Sequence, residues 1–179
     1  MGVALTMLKE KVKPDIMPDS NSLHIKYWLW ITLLVIVLDQ VTKILADQLL
    51  QFHQPVELIP MFNFTLMYNK GAAFSFLASA GGWQRWFFLV LTSVVSVFIF
   101  LWIRKLKPHQ VLQYTALSLI LGGAIGNLID RAIYGHVIDF LDVYYQQHHW
   151  PAFNIADSAI TVGAILLIYD TLKNPHEDS

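Results

Sequence analysis

The residues able to do chemistry in this sequence sit in a few short stretches. "PAFNIADSAI" places Asn154 and Asp157 at the mouth of an otherwise apolar segment, and "HVIDF" supplies Asp139. "GNLIDR" brings Asn127, Asp130 and Arg131 together, "DQVTK" holds Asp39 and Lys43, and "FNFTLMYNK" ends on Asn69 and Lys70. Carboxylates, amides and a few cations are the equipment of acid–base catalysis, of a proton relay, or of buried ion pairs. The chain has no cysteine, which excludes disulfides, thiol nucleophiles, Zn–thiolate sites and Fe–S clusters. His148 and His149 lack a carboxylate or third His at ligand spacing, so neither a metal nor another cofactor is expected.

Each stretch also has an ordinary reading. Asp157 suits the first turn of a helix, where the positive dipole end favours an acid, with Asn154 as N-cap. Asp139 and Asp142, three apart, suit the wet face of an interfacial helix. Asp39 and Lys43 are spaced i, i+4 and can pair on one helix face; Asp130 beside Arg131 is open to the same reading. Gly122 and Gly126 form a small-xxx-small pattern for close helix approach. Lys70 and Ser75 offer a Ser–Lys pair without a helix to present it, and Asp170 in "IYD" reads as the end of its helix.

What must position these groups is a membrane domain. Of 179 residues, 55% are hydrophobic and 14% charged, against about a quarter charged in a soluble domain. The apolar residues come in long blocks, which predicts an α-helical integral membrane protein with spans over about 27–50, 83–103, 111–129 and 155–172. Each can cross a hydrocarbon core of ~30 Å at ~1.5 Å per residue. Residues 1–25 read as a polar, mostly disordered tail, 26–173 as a single membrane domain and 174–179 as a short tail. The first span lacks a small-x-small cleavage site and reads as an uncleaved helix. Trp83, Trp86 and Trp102 mark the ends of the second as interfacial aromatics.

Arg104, Lys105 and Lys107 in "RKLKPHQ", Lys9, Lys11, Lys13 and Lys26 before the first span, and Lys173 after the last fall on one side. That side is expected to be the cytoplasm, with both termini, leaving 51–82 and 132–152 outside. "FNFTLMYN" alternates as a strand does, predicting a small extracytoplasmic β-element. "VIDFLDVYYQQHH" reads as a short interfacial amphipathic helix. On this topology the acids collect at one depth on the outer side. An Asp or Lys costs about 2.5–3.5 kcal/mol at a helix centre and less near an interface. The residues alone leave three classes open: an enzyme, a proton-coupled transporter using Asp39, Lys43, Asp130 and Asp157 as a relay, and a scaffold whose acids pair with Arg131 and Lys43. A net charge of −1 gives no hint of nucleic-acid binding.

In order along the chain, "DQVTK", "YNKGAAFSF", "GGAIGNLIDR", "HVIDF" and "PAFNIADSAI" resemble the blocks of the lipoprotein signal peptidases (signal peptidase II). The resemblance runs from about Tyr27 to Leu172. It implies an aspartyl endopeptidase of the bacterial inner membrane, expected to act as a monomer among phospholipids. Its substrates would be prolipoproteins whose cysteine carries diacylglycerol, cut just before that cysteine at the outer face. The resemblance makes Asp139 and Asp157 the catalytic dyad, and gives Asp39, Lys43, Asn69, Asn127, Asp130, Arg131 and Asn154 roles in shaping and supporting the site. Such a dyad needs no metal to activate water, because two facing carboxylates share one proton and can act as base and acid.

Overall fold

A computed structural model describes residues 20–71 and 81–173. Within them, α1 (Ser20–Leu49) is followed by strands β1 (Val56–Ile59) and β2 (Phe62–Asn69), then α2 (Trp83–Ile103) and α3 (Val111–Ile133). Strands β3 (Val137–Tyr145) and β4 (His148–His149) lead into α4 (Ile155–Lys173). All four helices are long and apolar enough to cross a membrane. α1 begins inside the stretch expected as a tail, and α3 runs one turn past the expected span, so Asp130 and Arg131 belong to its last turn. The expected tail at 1–19, Ser75 with the "AAFSF" stretch, and the tail at 174–179 lie outside the described residues.

α3 is the central helix and packs on α1, α2 and α4. Glycines make that possible. A Cβ on Gly122 would lie 2.7 Å from the Val35 Cβ of α1, and one on Gly163 of α4 would lie 2.6 Å from the Ala116 carbonyl oxygen. One on Gly123 would overlap the Ala156 carbonyl of α4. Gly122 and Gly126 both face α1, as the small-xxx-small pattern predicts. Around the basic loop, Ile99, Ile103, Leu106, Tyr114, Leu117 and Leu121 form an apolar core. Trp28 stacks on Tyr114 there, with centroids 5.4 Å apart. Asp170, in the last turn of α4 as expected, is buried and accepts a 2.8 Å hydrogen bond from Gln113 Nε2, joining α4 to α3. Val90, Val94 and Phe98 of α2 and Ile165 and Ile168 of α4 face outward, as lipid-facing side chains do.

The strands form one antiparallel sheet in the order β1-β2-β3-β4, at the end of the bundle where α1 and α3 finish and α2 and α4 begin. β2 and β3 pair with Met67 opposite Asp139 and Asn69 opposite Val137, with an irregularity between Phe64 and Met67. The segment expected as an interfacial helix is therefore a strand. Val137, Phe140, Leu141 and Tyr144 do fall at helical spacing. However, Val137, Ile138, Val143, Tyr144 and Tyr145 are β-branched or aromatic, and the edge of β2 offers their backbone a ladder that a surface helix could not supply. Asp142 follows: it is buried in the sheet, not set on a wet face.

Candidate active site

Asp139 reaches the site from β3 and Asp157 from the first turn of α4. The connecting segment folds back on β3, where the Phe140 and Leu141 N–H groups both donate to the Phe153 carbonyl, at 3.0 and 2.8 Å, and the Phe153 N–H returns to the Leu141 carbonyl at 3.0 Å. That pairing delivers Asn154 beside Asp139. Asn154 is fully buried and serves both aspartates. Its Oδ1 accepts the Asp157 N–H at 2.9 Å, its own N–H donates to Asp157 Oδ2 at 3.3 Å, and its Nδ2 donates to Asp139 Oδ1 at 2.7 Å. Asn69 Nδ2 donates to Asp139 Oδ2 at 3.2 Å, and Asn127 Nδ2 to Asp157 Oδ1 at 2.8 Å. Asn69 is held in turn, because its Oδ1 accepts the Gly71 N–H at 3.0 Å, closing a turn after β2.

The two carboxylates line one cavity of about 800 Å³ with Asn69, Lys70, Asn127 and Arg131, walled by apolar side chains including Val137, Phe153 and Ile160. Burial, and then the neighbouring Asp157 carboxylate, push Asp139 up to about 7, against the lowering effect of hydrogen bonds from Asn69 and Asn154 and of the Lys43 charge. Asp157 stands in the first turn of α4 and receives two hydrogen bonds.

Behind the pair lies a buried charged layer. Lys43 Nζ is 2.8 Å from Asp39 Oδ2, 2.9 Å from Asp130 Oδ2 and 2.9 Å from Asn127 Oδ1. All three charged groups are almost completely buried. The i, i+4 pairing of Asp39 with Lys43 holds, and Asp130 is its third member instead of a partner for Arg131. Arg131 turns toward the cavity, where its Nη2 donates to the Gly71 carbonyl at 3.2 Å and its guanidinium lies 5.4 Å over the Phe88 ring. Arg85 of α2 caps the end of α3 at the same point, donating to the Arg131 and Ala132 carbonyls at 3.1 and 2.7 Å.

All nine residues singled out from the sequence therefore meet in one place. Two partners were not anticipated. Gln40 sits within the charged layer, and its only signal in the sequence is its place inside "DQVTK". Asp142 accepts hydrogen bonds from Asn63 and Thr65 of β2, at 3.3 and 3.1 Å, and pairs with His149 Nδ1 at 2.9 Å. His149 thus has the carboxylate partner that spacing alone did not disclose, and Asn63 and Thr65 are buried because Asp142 needs them.

Comparison with known proteins places this geometry in a family. The family described as Signal peptidase (SPase) II matches residues 31–173. A lipoprotein signal peptidase of Teredinibacter turnerae is 53% identical over 152 residues, covering 85% of this chain and 90% of its own. One from Burkholderia thailandensis is 56% identical over 146 residues, covering 82% and 87%. A solved bacterial membrane enzyme, 33% identical, superposes with a TM-score of 0.76 over 86% of this chain and 92% of its own. Matched along most of its length in both sequence and fold, the chain belongs to the signal peptidase II family of bacterial membrane endopeptidases of aspartic type.

Proposed function

We propose that this chain removes the signal peptide from diacylglyceryl-modified prolipoproteins, cutting just before the lipidated cysteine at the outer face of the inner membrane, with Asp139 and Asp157 as the catalytic pair. The observation that carries the reading is Asn154, whose backbone and side chain bond both carboxylates at once and aim them into one cavity. The charged member of the pair takes a proton from water while the oxygen attacks the scissile carbonyl carbon. The neutral member donates a hydrogen bond to the carbonyl oxygen, and the proton taken up by the pair then goes to the leaving amine. Asn69 and Asn127 hold the carboxylates in orientation, and Arg131 presents its remaining donors to substrate carbonyls. The apolar wall limits water to the molecule being used. The basic loop at 104–110 and both termini face the cytoplasm in this reading, and the enzyme works as a monomer surrounded by phospholipid, with no metal or cofactor.

The test is cleavage of a diacylglyceryl prolipoprotein by purified protein in detergent. Asp139→Asn and Asp157→Asn should each abolish turnover, a loss of at least about a thousandfold, because an amide keeps the size but cannot exchange the proton. Near-normal turnover in either folded variant would remove that residue from the pair.

A further inference from the structure

The reaction scheme leaves the buried layer behind the aspartates unused, and that layer is built symmetrically. Asp39 Oδ1 accepts the N–H of Ala156, the residue immediately before Asp157, at 2.9 Å. Asp130 Oδ2 accepts the N–H of Ile138, the residue immediately before Asp139, at 3.1 Å. Each buried carboxylate therefore grips the backbone one residue ahead of a cavity-facing aspartate. Two donors cross between the grips. One is the Lys43 ammonium, described above. The other is Gln40 Nε2, which lies 2.9 Å from Asp130 Oδ1, 3.3 Å from Asp39 Oδ2 and 3.1 Å from the Gly126 carbonyl oxygen. Three acceptors surround that atom, so it must be the amide nitrogen and not the oxygen.

We propose that Gln40 is a positioning residue for peptide cleavage: with Lys43 it cross-links Asp39 and Asp130, and through the Ala156 and Ile138 N–H groups they hold, it sets the separation of Asp157 and Asp139. This rests on Asp139 and Asp157 being the catalytic pair. The two cross-links differ in kind. Lys43 supplies the charge that lets two carboxylates be buried together, but an ammonium is a point charge whose three donors rotate. The Gln40 amide is planar and reaches the Asp130 oxygen opposite the one that Lys43 and Ile138 engage, so it fixes the rotation of that carboxylate. The charged groups facing Gln40 are Asp39 and Lys43 from its own helix and Asp130 from α3. A glutamate there would set a third carboxylate against two that already share one lysine. Gly126 completes the fit, because a Cβ there would fall 2.5 Å from Asp39 Oδ2.

Gln40→Met and Gln40→Glu, made in the full chain and assayed in detergent on a diacylglyceryl prolipoprotein, test this. Misplacing reacting groups by about 1 Å costs up to about a hundredfold in rate, so Gln40→Met should lower kcat by about tenfold to a hundredfold with KM within about twofold. Its alkaline limb in kcat/KM should move to lower pH, since a wider pair repels less and releases its shared proton sooner. Unchanged kcat and an unchanged pH profile in folded Gln40→Met would overturn the proposal. Gln40→Glu gives a second measure that does not depend on Gln40→Met folding. Its kcat relative to wild type should rise on acidification, as the protonated carboxyl regains a donor, and a ratio that stays flat with pH would overturn the proposal equally. Turnover surviving in Asp139→Asn or Asp157→Asn would instead strike the catalytic assignment. Inactive aspartate variants beside wild-type Gln40 variants would strike the cross-link alone.

Discussion

Asn154 shows at the scale of one residue how an ordinary role and a chemical one coincide. Its Oδ1 caps α4 through the Asp157 N–H, and Asp157 returns a bond to the Asn154 N–H, a reciprocal capping arrangement. The amide nitrogen left over points to Asp139. The cap was legible in the sequence because it is local; the reach to β3 was not, because it depends on a chain reversal at residues 150–153. The same burial that isolates Asp139 has a thermodynamic cost that can be measured. The folded protein holds the Asp139 proton up to about pH 7, whereas the ordinary value is 3.8. Between those values the folded state binds the extra proton, so this residue's contribution to stability is fully present below about pH 4 and is lost as pH rises through about 7. Asp139→Asn removes that titration. The variant should be more stable than wild type at pH 8, by on the order of 2–4 kcal/mol, with the difference shrinking toward pH 4. Melting temperatures of the detergent-solubilised proteins at the two pH values check this, and a difference that does not change with pH would contradict it.

At the scale of elements, the helices were legible and β3 was not. A long apolar run can be satisfied only as a helix once lipid is the solvent, because every backbone group must bond within the segment. The nine residues of β3 carry no such constraint. Their apolar positions match a helical period as well as a buried strand, and the pairing with β2, far away in sequence, decides between them. The strand period of β2 was legible, but not that its Asn63 and Thr65 would be buried against a carboxylate of β3. Helix packing, by contrast, follows from small residues that the sequence displays. Gly163→Ala should cost about 1–3 kcal/mol, because the added methyl meets the backbone carbonyl of Ala116, which cannot turn away as a side chain would. A thermal melt identical to wild type would mean that α3 and α4 separate at no cost.

The molecule as a whole segregates its chemistry to one end and its apolar core to the other. The proposed function puts the chemical end outward, and labelling can test that directly because the chain has no cysteine of its own. His109 in that loop and Gln54 before β1 are both exposed. A cysteine replacing His109 should resist a membrane-impermeant thiol reagent in intact cells, and one replacing Gln54 should react. The opposite pattern in an active variant would put the cavity on the cytoplasmic side. The buried charged layer also imposes an order on biogenesis. Asp39 and Lys43, paired in the folded protein, both belong to α1, the first helix to be synthesised. Asn127 and Asp130 arrive two helices later, and the Ala156 N–H only with the last. On the proposed function, Asp39 and Lys43 are therefore synthesised well before the groups they bond, and competence to cut waits for the last helix.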